Sequence, residues 1–146
     1  ALHERNNVEN ASKSTNRRRI EPVAHILIVD DDQIVGDTFA RMLTLSGHKV
    51  TTVQSADEAL VASTLEPPDA LILDMRMPGV SGLEFLRILR RDARLRETPV
   101  GIVTGDYFLN EPVLAEMRAL GATVRYKPLW MDDLNALAQS LLTRAS

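Results

Sequence analysis

The chain has 146 residues, of which 45% are apolar and 25% are charged, a composition that fits one compact globular domain and excludes a chain disordered throughout. Its formal net charge of -3 gives no indication of a nucleic-acid partner or of an acidic membrane surface as partner. The absence of cysteine excludes disulfides and cysteine-ligated zinc, and because the chain shows no apolar run near the roughly 18 residues of a membrane span and no signal peptide, we expect a soluble, cytoplasmic protein.

The first 22 residues form a polar segment. They carry five basic and three acidic groups but only five apolar residues, which are too few to contribute to a core. We therefore expect residues 1–22 to be a flexible arm or a linker, with Arg17, Arg18 and Arg19 solvated. The folded domain is predicted over residues 23–146.

Short apolar runs then alternate with amphipathic segments of helical length. Residues 25–29 form a nearly continuous run rich in β-branched side chains, as expected for a strand covered on both faces. The next segment predicts a helix that ends near Ser46, with Gly47 as a left-handed C-cap. After a second strand, Ser55 and Glu58 form a capping box at the start of another helix. The apolar positions of the first helix, expected to recur along one face, are Ile34, Val35, Phe39, Met42, Leu43 and Leu45.

The second half of the chain continues the same alternation. Ser81 and Glu84 form another capping box. Asn110 precedes a helix that has Pro112 in its first turn and ends before Gly121. The predicted strands are 25–29, 50–53, 70–73, 99–103 and 123–126, and one helix follows each of them.

This order predicts an α/β fold with a doubly wound, five-stranded parallel sheet and helices on both faces. In such sheets, ligands bind at the carboxyl ends of the strands. The first strand ends at the run Asp30-Asp31-Asp32, and the third ends at Asp74. The fourth strand ends at Thr104 and the fifth at Lys127. We therefore expect these polar side chains to meet at one edge of the sheet.

Carboxylates gathered in a partly desolvated crevice repel one another unless a cation neutralises them. Oxygen ligands favour a hard divalent ion, and Mg²⁺ fits best because it accepts carboxylates, a carbonyl, waters and phosphate oxygens. The Lys127 ammonium and the Thr104 hydroxyl could then hold the oxygens of a phosphoryl group. The pattern therefore indicates phosphoryl transfer to the Asp74 carboxylate.

Four ordered motifs resemble the receiver domain of two-component response regulators, a CheY-like family. They are residues 26–32, 71–79, 103–105 and 127–128. The resemblance extends from residue 25 to about residue 144. It implies a receiver domain over the predicted folded part and a flavodoxin-like strand order of 2-1-3-4-5.

The resemblance also implies roles for individual residues. Asp74 would take a phosphoryl group from a phosphohistidine of a histidine kinase or phosphotransfer protein, with Thr104 and Lys127 assisting. Asp31 would bind Mg²⁺ directly and Asp30 through water, while Asp74 and the main-chain carbonyl of Arg76 would complete the ligands. The same resemblance implies a cis peptide bond between Lys127 and Pro128, which is inexpensive only before proline.

The sequence departs from the family pattern at an aromatic position, and it has a long charged side chain two residues after Asp74. The family commonly has an aromatic switch residue three positions before the lysine, where this chain has Val124. Tyr126 or Tyr107 could replace that aromatic only by a different route. Arg76 is long enough to reach over the pocket and either slow or speed hydrolysis of a phosphorylated Asp74.

Some residues have simpler interpretations. Asp32 is better explained as a helix N-cap than as a metal ligand. The scattered His3, His25 and His48 are assigned to no metal and to no phosphate transfer. In the fourth and fifth βα units, Trp130 and Met131 are the candidate patch for a target protein or for a homodimer. These units also contain Leu109, Val113, Met117 and Leu129, but such residues more often belong to a core.

Two other functions stay open at this point. A haloacid-dehalogenase-like phosphatase also uses an aspartate nucleophile with Mg²⁺, but it needs a second aspartate where this chain has Arg76. A receiver-type domain could also act as an unphosphorylated docking module. Under the favoured interpretation the protein is not an enzyme beyond its own phosphorylation and dephosphorylation, and it is either a stand-alone regulator or part of a longer chain with an output domain.

Overall fold

The computed structural model describes residues 24–144, and the arm expected over residues 1–22 lies outside this part. Within it, five strands alternate with five helices, as the sequence pattern predicts. No helix among the described residues is both long and apolar enough to cross a membrane. In chain order the elements are β1 His25–Val29, α1 Gln33–Leu45, β2 Lys49–Val53, α2 Ala56–Leu65, β3 Ala70–Asp74, α3 Gly82–Arg91, β4 Val100–Thr104, α4 Glu111–Ala119, β5 Ala122–Tyr126 and α5 Met131–Arg144.

The five strands form one parallel sheet in the order β2-β1-β3-β4-β5, so the predicted order is confirmed. In the centre of the sheet, Ile28 of β1 is paired with Ile72 of β3. Asp74, at the end of β3, is paired with Val103 of β4. This register places Asp74 one residue before the end of β4, beside the residue that precedes Thr104.

Two hydrophobic layers cover the two faces of the sheet. In β1, Ile26 and Ile28 face one layer, whereas Leu27 and Val29 face the other. This alternation follows from the period of two along a strand. The layer around Leu27 is closed by α2, α3 and α4, and the layer around Ile28 is closed by α1 and α5. Both faces of the central strands are therefore buried, which explains their continuous apolar runs.

Side-chain caps fix where the helices begin. The Asp32 carboxylate accepts hydrogen bonds from the N–H groups of the first turn of α1, which confirms its interpretation as an N-cap. Ser55, Ser81 and Asn110 cap α2, α3 and α4 in the same way. In the first capping box, the Glu58 carboxylate accepts a hydrogen bond of 2.8 Å from the N–H of Gln54. In a standard capping box it would accept from the N–H of the capping residue, Ser55.

The expected buried face of α1 is wrong at both ends of the helix. Ile34 is 79% exposed and Leu45 is 72% exposed, while Phe39 and Leu43 are buried. Ile34 lies five residues before Phe39, which turns it about 140° away on a helix of 3.6 residues per turn. Leu45 lies two residues after Leu43 and points about 160° away. Apolar character alone did not identify the face.

Candidate functional site

Polar side chains from four strand ends lie at the same edge of the sheet. Asp30 directly follows β1, and Asp74 is the last residue of β3. Thr104 is the last residue of β4, and Lys127 directly follows β5. Because the strands are parallel, their carboxyl ends meet at one edge. The convergence expected from the sequence is therefore present.

Three carboxylates form a compact acidic cluster at this edge. Oxygen atoms of Asp30, Asp31 and Asp74 all lie within 4.8 Å of one another. The Lys127 ammonium is 3.6 Å from an oxygen of Asp30 and 3.6 Å from an oxygen of Asp74. These distances make ion pairs rather than hydrogen bonds. Three anionic groups and one cationic group leave an excess of negative charge in a small volume.

Asp30 is the most deeply buried member of the acidic cluster. Its side chain is 4% exposed, and the N–H of Asp32 donates a hydrogen bond of 2.9 Å to it. Burial raises the pKa of the Asp30 carboxyl above its usual value of 3.8. The hydrogen bond from Asp32 and the charge of Lys127 act against this shift, whereas Asp74 and Asp31 add to it. The surroundings of Asp30 thus disfavour its charged form.

The acidic cluster fits the chemistry of a hard divalent cation. It offers only oxygen ligands, which is the donor set that Mg²⁺ prefers. A divalent cation would also neutralise the excess negative charge and remove the mutual repulsion of the three carboxylates. The residues present, Asp30, Asp31 and Asp74, therefore fit the cofactor that the sequence predicts.

Thr104 and Lys127 are held in place by main-chain contacts. Thr104 is buried at the end of β4, and its carbonyl accepts a hydrogen bond of 2.8 Å from the N–H of Lys127. The Thr104 hydroxyl accepts from the N–H of Asp106 at 3.0 Å. The peptide bond between Lys127 and Pro128 is cis, as expected.

Arg76 lies beside the acidic cluster, but its side chain extends toward the loop after β4. Its N–H is 3.3 Å from an oxygen of Asp74, while its guanidinium lies 3.3 Å from the carboxylate of Asp106. Both residues line an open cleft of about 450 Å³ that also includes Asp31. The Arg76 side chain therefore borders the access route to the acidic cluster.

Gly82 helps to position the backbone around Asp74, although the sequence identified it only as part of a capping box. Its N–H donates a hydrogen bond of 2.8 Å to the carbonyl of Met75. A Cβ atom at Gly82 would lie 3.0 Å from the Cα of Met75 and 3.2 Å from the carbonyl oxygen of Asp74. The start of α3 thus packs directly against the backbone that carries Asp74. A side chain at this position would require that backbone to shift by a few tenths of an ångström.

The apolar residues of the fourth and fifth βα units divide between the core and the surface. Met117 and Leu129 are buried in the hydrophobic layers, because each faces the sheet. Trp130 is 70% exposed and Met131 is also exposed, as expected. Phe108, which the sequence did not single out, is 92% exposed in the loop after β4.

Two tyrosines lie near Lys127, in place of the single aromatic common in the family. The family's usual aromatic position holds Val124 in this chain, and its aliphatic side chain is half-buried against the hydrophobic layer around Leu27. The rings of Tyr107 and Tyr126 stack with centroids 5.5 Å apart and an interplanar angle of 16°. The Tyr107 hydroxyl donates a hydrogen bond to the main-chain carbonyl of Lys127. No sequence periodicity could have identified this contact.

Comparison with known proteins agrees with this architecture. Residues 26–138 match the family described as the response regulator receiver domain. The chain belongs to this family. It is therefore a receiver domain of the kind used in two-component signalling, and the resemblance stated from the sequence is confirmed.

Similar receiver proteins come from several bacteria. Response regulator MprA of Mycolicibacterium vanbaalenii is 34% identical over 121 residues, which are 83% of this chain and 51% of MprA. The MprA of Mycobacterium avium is 34% identical over 119 residues, again 51% of that protein. The receiver domain thus spans about half the length of these curated relatives.

Solved structures confirm the CheY-like fold. The chemotaxis response regulator CheY4 of Vibrio cholerae has a TM-score of 0.76 and 28% identity, over 83% of this chain and 100% of that one. NtrX of Brucella abortus has a TM-score of 0.75 and 29% identity, over 85% of this chain and 28% of NtrX. The predicted flavodoxin-like strand order is therefore correct.

Proposed function

We propose that this receiver domain accepts a phosphoryl group on Asp74 from a histidine kinase or phosphotransfer protein, in a Mg²⁺-dependent reaction, and thereby switches a protein-interaction surface. One observation carries the proposal. The three carboxylates of the acidic cluster and the Lys127 ammonium lie together at the carboxyl edge of a parallel sheet. This arrangement suits an anionic nucleophile that must approach an anionic phosphoryl group.

The proposed transfer exchanges one phosphorus bond for another. A carboxylate oxygen of Asp74 forms a bond to phosphorus, while the bond between phosphorus and the donor imidazole nitrogen breaks. The electron pair of the broken bond stays on the imidazole, which then takes a proton from solvent. The product is an acyl phosphate on Asp74 and a free histidine in the donor.

Two side chains assist this step through their charge and their hydrogen bonds. Lys127, already 3.6 Å from Asp74, neutralises the charge that Asp74 brings to the donor and later pairs with a phosphoryl oxygen. The Thr104 hydroxyl accepts one hydrogen bond from Asp106 and donates to no other group within residues 24–144, so its hydrogen can donate to the phosphoryl group.

The cation completes the site through residues that are already adjacent. Asp31 would bind Mg²⁺ directly and Asp30 through water, with Asp74 and the Arg76 carbonyl as the other protein ligands. When bound, Mg²⁺ neutralises phosphoryl oxygens and the carboxylates around them. Asp30 holds its place through the Asp32 N–H and the ion pair with Lys127.

The same site argues against a separate enzymatic function. A haloacid-dehalogenase-like phosphatase needs a carboxylic acid two residues after its nucleophile, and Arg76 cannot donate or accept a proton in that role. We therefore propose that catalysis is limited to phosphorylation and dephosphorylation of Asp74 itself. We also propose a cytoplasmic location, protein rather than nucleic-acid partners for this domain, and an output domain or separate target as the receiver of the signal.

Intact-mass measurement tests the function. After incubation with Mg²⁺ and acetyl phosphate, the wild-type chain should gain one phosphate. The variant Asp74→Asn should gain none, because the amide is not a nucleophile for phosphorus. Lys127→Ala should react at least about tenfold more slowly, since it loses the nearby cation. Asp57→Ala, which removes an exposed carboxylate from the first turn of α2, is the matched control and should react like the wild type.

Different results would support the other functions. Phosphate on Asp74→Asn would show that another residue is the acceptor. A wild-type chain that gains no phosphate from any small donor or kinase would favour the unphosphorylated docking module. Rapid turnover of a free phosphoester would favour a phosphatase.

A further inference from the structure

We propose that Tyr107 is a positioning residue for Lys127: its hydroxyl holds the main-chain carbonyl of Lys127, and this contact directs the lysine ammonium toward Asp74. The inference rests on the proposed function, because it concerns the rate at which Asp74 accepts a phosphoryl group. Tyr107 itself belongs neither to the acidic cluster nor to the end of a strand.

Lys127 needs such support because of its place in the sheet. It follows β5, which pairs only with β4 and therefore has one neighbour within the described sheet. The N–H of Lys127 is held by the Thr104 carbonyl at 2.8 Å, but this bond fixes only one side of the residue. The lysine side chain has four rotatable bonds and a point charge with little directional preference. A loose backbone would spread its ammonium over many positions.

The Tyr107 hydroxyl supplies the second attachment. It donates to the Lys127 carbonyl, so the two main-chain polar groups of Lys127 are bonded to the segment that contains Thr104 and Tyr107. The Tyr107 ring also stacks on the Tyr126 ring, and Tyr126 directly precedes Lys127. Tyr107 therefore contacts the chain at Lys127 and at the residue before it.

Tyr107 can act in this way only if its own backbone is fixed, and Asp106 fixes it. The N–H of Asp106 donates to the Thr104 hydroxyl at 3.0 Å. One carboxylate oxygen of Asp106 accepts from the N–H of Phe108 at 2.9 Å, and the other lies 3.3 Å from the Arg76 guanidinium. Hydrogen bonds of Asp106 and Phe108 thus hold the loop backbone on both sides of Tyr107. It is also attached to the loop that follows Asp74.

Two variants of Tyr107 separate positioning from simple packing. Tyr107→Phe keeps the stacked ring but removes the hydroxyl, whereas Tyr107→Ala removes both. If the hydroxyl positions Lys127, both variants should lower the maximal rate of phosphorylation by acetyl phosphate by about tenfold. Both variants keep the three carboxylates of the acidic cluster, so rates compared at saturating Mg²⁺ report on the position of Lys127. If the ring serves only packing, Tyr107→Phe should react like the wild type, which would overturn the proposal.

Tyr126→Phe is the matched control. It removes a tyrosine hydroxyl from the other ring of the same stack, and that hydroxyl makes no hydrogen bond within residues 24–144. This variant should keep the wild-type rate. An equal loss in Tyr126→Phe and Tyr107→Phe would overturn the specific role of Tyr107.

Fluorescence gives a second readout, taken on protein that is already fully phosphorylated. Trp130 is the only tryptophan in the sequence and lies three residues after Lys127. Acetyl phosphate should change Trp130 emission in the wild type, and Tyr107→Phe should reduce this change even when intact mass shows full phosphorylation. An undiminished change would contradict the inference. Failure of the wild type itself to accept phosphate would instead overturn the proposed function, and the inference with it.

Discussion

Asp30 illustrates how one residue links the fold to the site. Its burial raises the pKa of its carboxyl, so at neutral pH the folded protein holds a charge that its surroundings disfavour. Because the pKa of the Asp30 carboxyl is higher in the folded state, its charge does not destabilise the fold below the pKa of the unfolded chain. Above the folded pKa, the free-energy cost of the buried charge is fully present and destabilises the folded protein. A bound cation would remove much of it.

Asp30→Asn should therefore stabilise the metal-free protein at neutral pH. The amide oxygen can still accept the hydrogen bond from Asp32, while the charge penalty disappears. We expect a gain of roughly 1 kcal/mol, or about 3 °C in Tm for a chain of this size. Thermal unfolding with and without Mg²⁺ measures it. Mg²⁺ should raise the Tm of the wild type and have little effect on the variant. A lower Tm for metal-free Asp30→Asn would show that the ion pair with Lys127 outweighs burial.

At the scale of single residues, the sequence identifies the polar and charged side chains of the site, but it does not identify the residue that holds Lys127 in place. Asp30, Asp31, Asp74, Thr104 and Lys127 could be predicted because each lies within two residues of the end of an apolar run, and strand ends are encoded locally. The contact of Tyr107 could not, because it depends on the path of an irregular loop. Such a path follows from tertiary contacts and has no period to detect.

Helix α3 begins in close contact with the backbone of the site. Its first residue, Gly82, leaves no room for a side chain next to Met75, and Ser81 caps the helix just before it. The position of Asp74 thus depends on how closely α3 approaches the end of β3.

Gly82→Ala should displace the segment that follows Asp74. Alanine favours a helix by about 1 kcal/mol over glycine, but its Cβ would lie 3.0 Å from the Met75 backbone, which cannot yield as a flexible side chain could. We expect a net loss of about 1–3 kcal/mol and slower phosphorylation of Asp74. Urea unfolding and intact mass measure the two effects.

Gly36→Ala is the contrasting substitution. The new Cβ would lie 4.0 Å from the Cβ of Asp30, an ordinary contact, so the helix preference should dominate and stability should rise. Equal responses of Gly36→Ala and Gly82→Ala would show that the close approach of Gly82 has no energetic weight.

Helices α3 and α4 are joined by a charged pair. The Arg87 guanidinium donates two hydrogen bonds to the Glu116 carboxylate, at 2.5 and 2.6 Å. The hydrogen bond from Arg87 lowers the pKa of Glu116 below its usual value of 4.5. A lowered carboxyl pKa gives stability that is present above the unfolded value and is lost as the pH falls through the folded value.

Glu116→Gln should therefore lower Tm slightly at neutral pH, and this difference should shrink as the pH falls below 4.5. Both side chains of the pair are partly exposed, so the effect should be small and should weaken in salt. Thermal unfolding between neutral and acidic pH measures it, with Glu111→Gln at the start of the same helix as control. A difference that grows on acidification would contradict the assigned sign.

For the whole molecule, alternation of strands and helices predicted the parallel α/β sheet covered by helices on both faces, whereas the strand order came from the family resemblance. Continuous apolar runs marked the strands that are buried on both faces, and capping residues marked the helix starts. The predicted face of α1 was wrong at Ile34 and Leu45 because spacing along a helix leaves several apolar faces open. Only packing against α5 and the sheet selects Phe39 and Leu43.

The parallel sheet has a consequence for how such a domain can change through evolution. Each group at the carboxyl edge depends on the number of residues in its strand, and one residue inserted in β3 would turn Asp74 to the other face. Residues 66–69 enter β3 at the opposite edge, where added length leaves the strand register intact. Insertions should therefore accumulate where the chain enters the sheet, and strand length should be inherited more faithfully than strand composition.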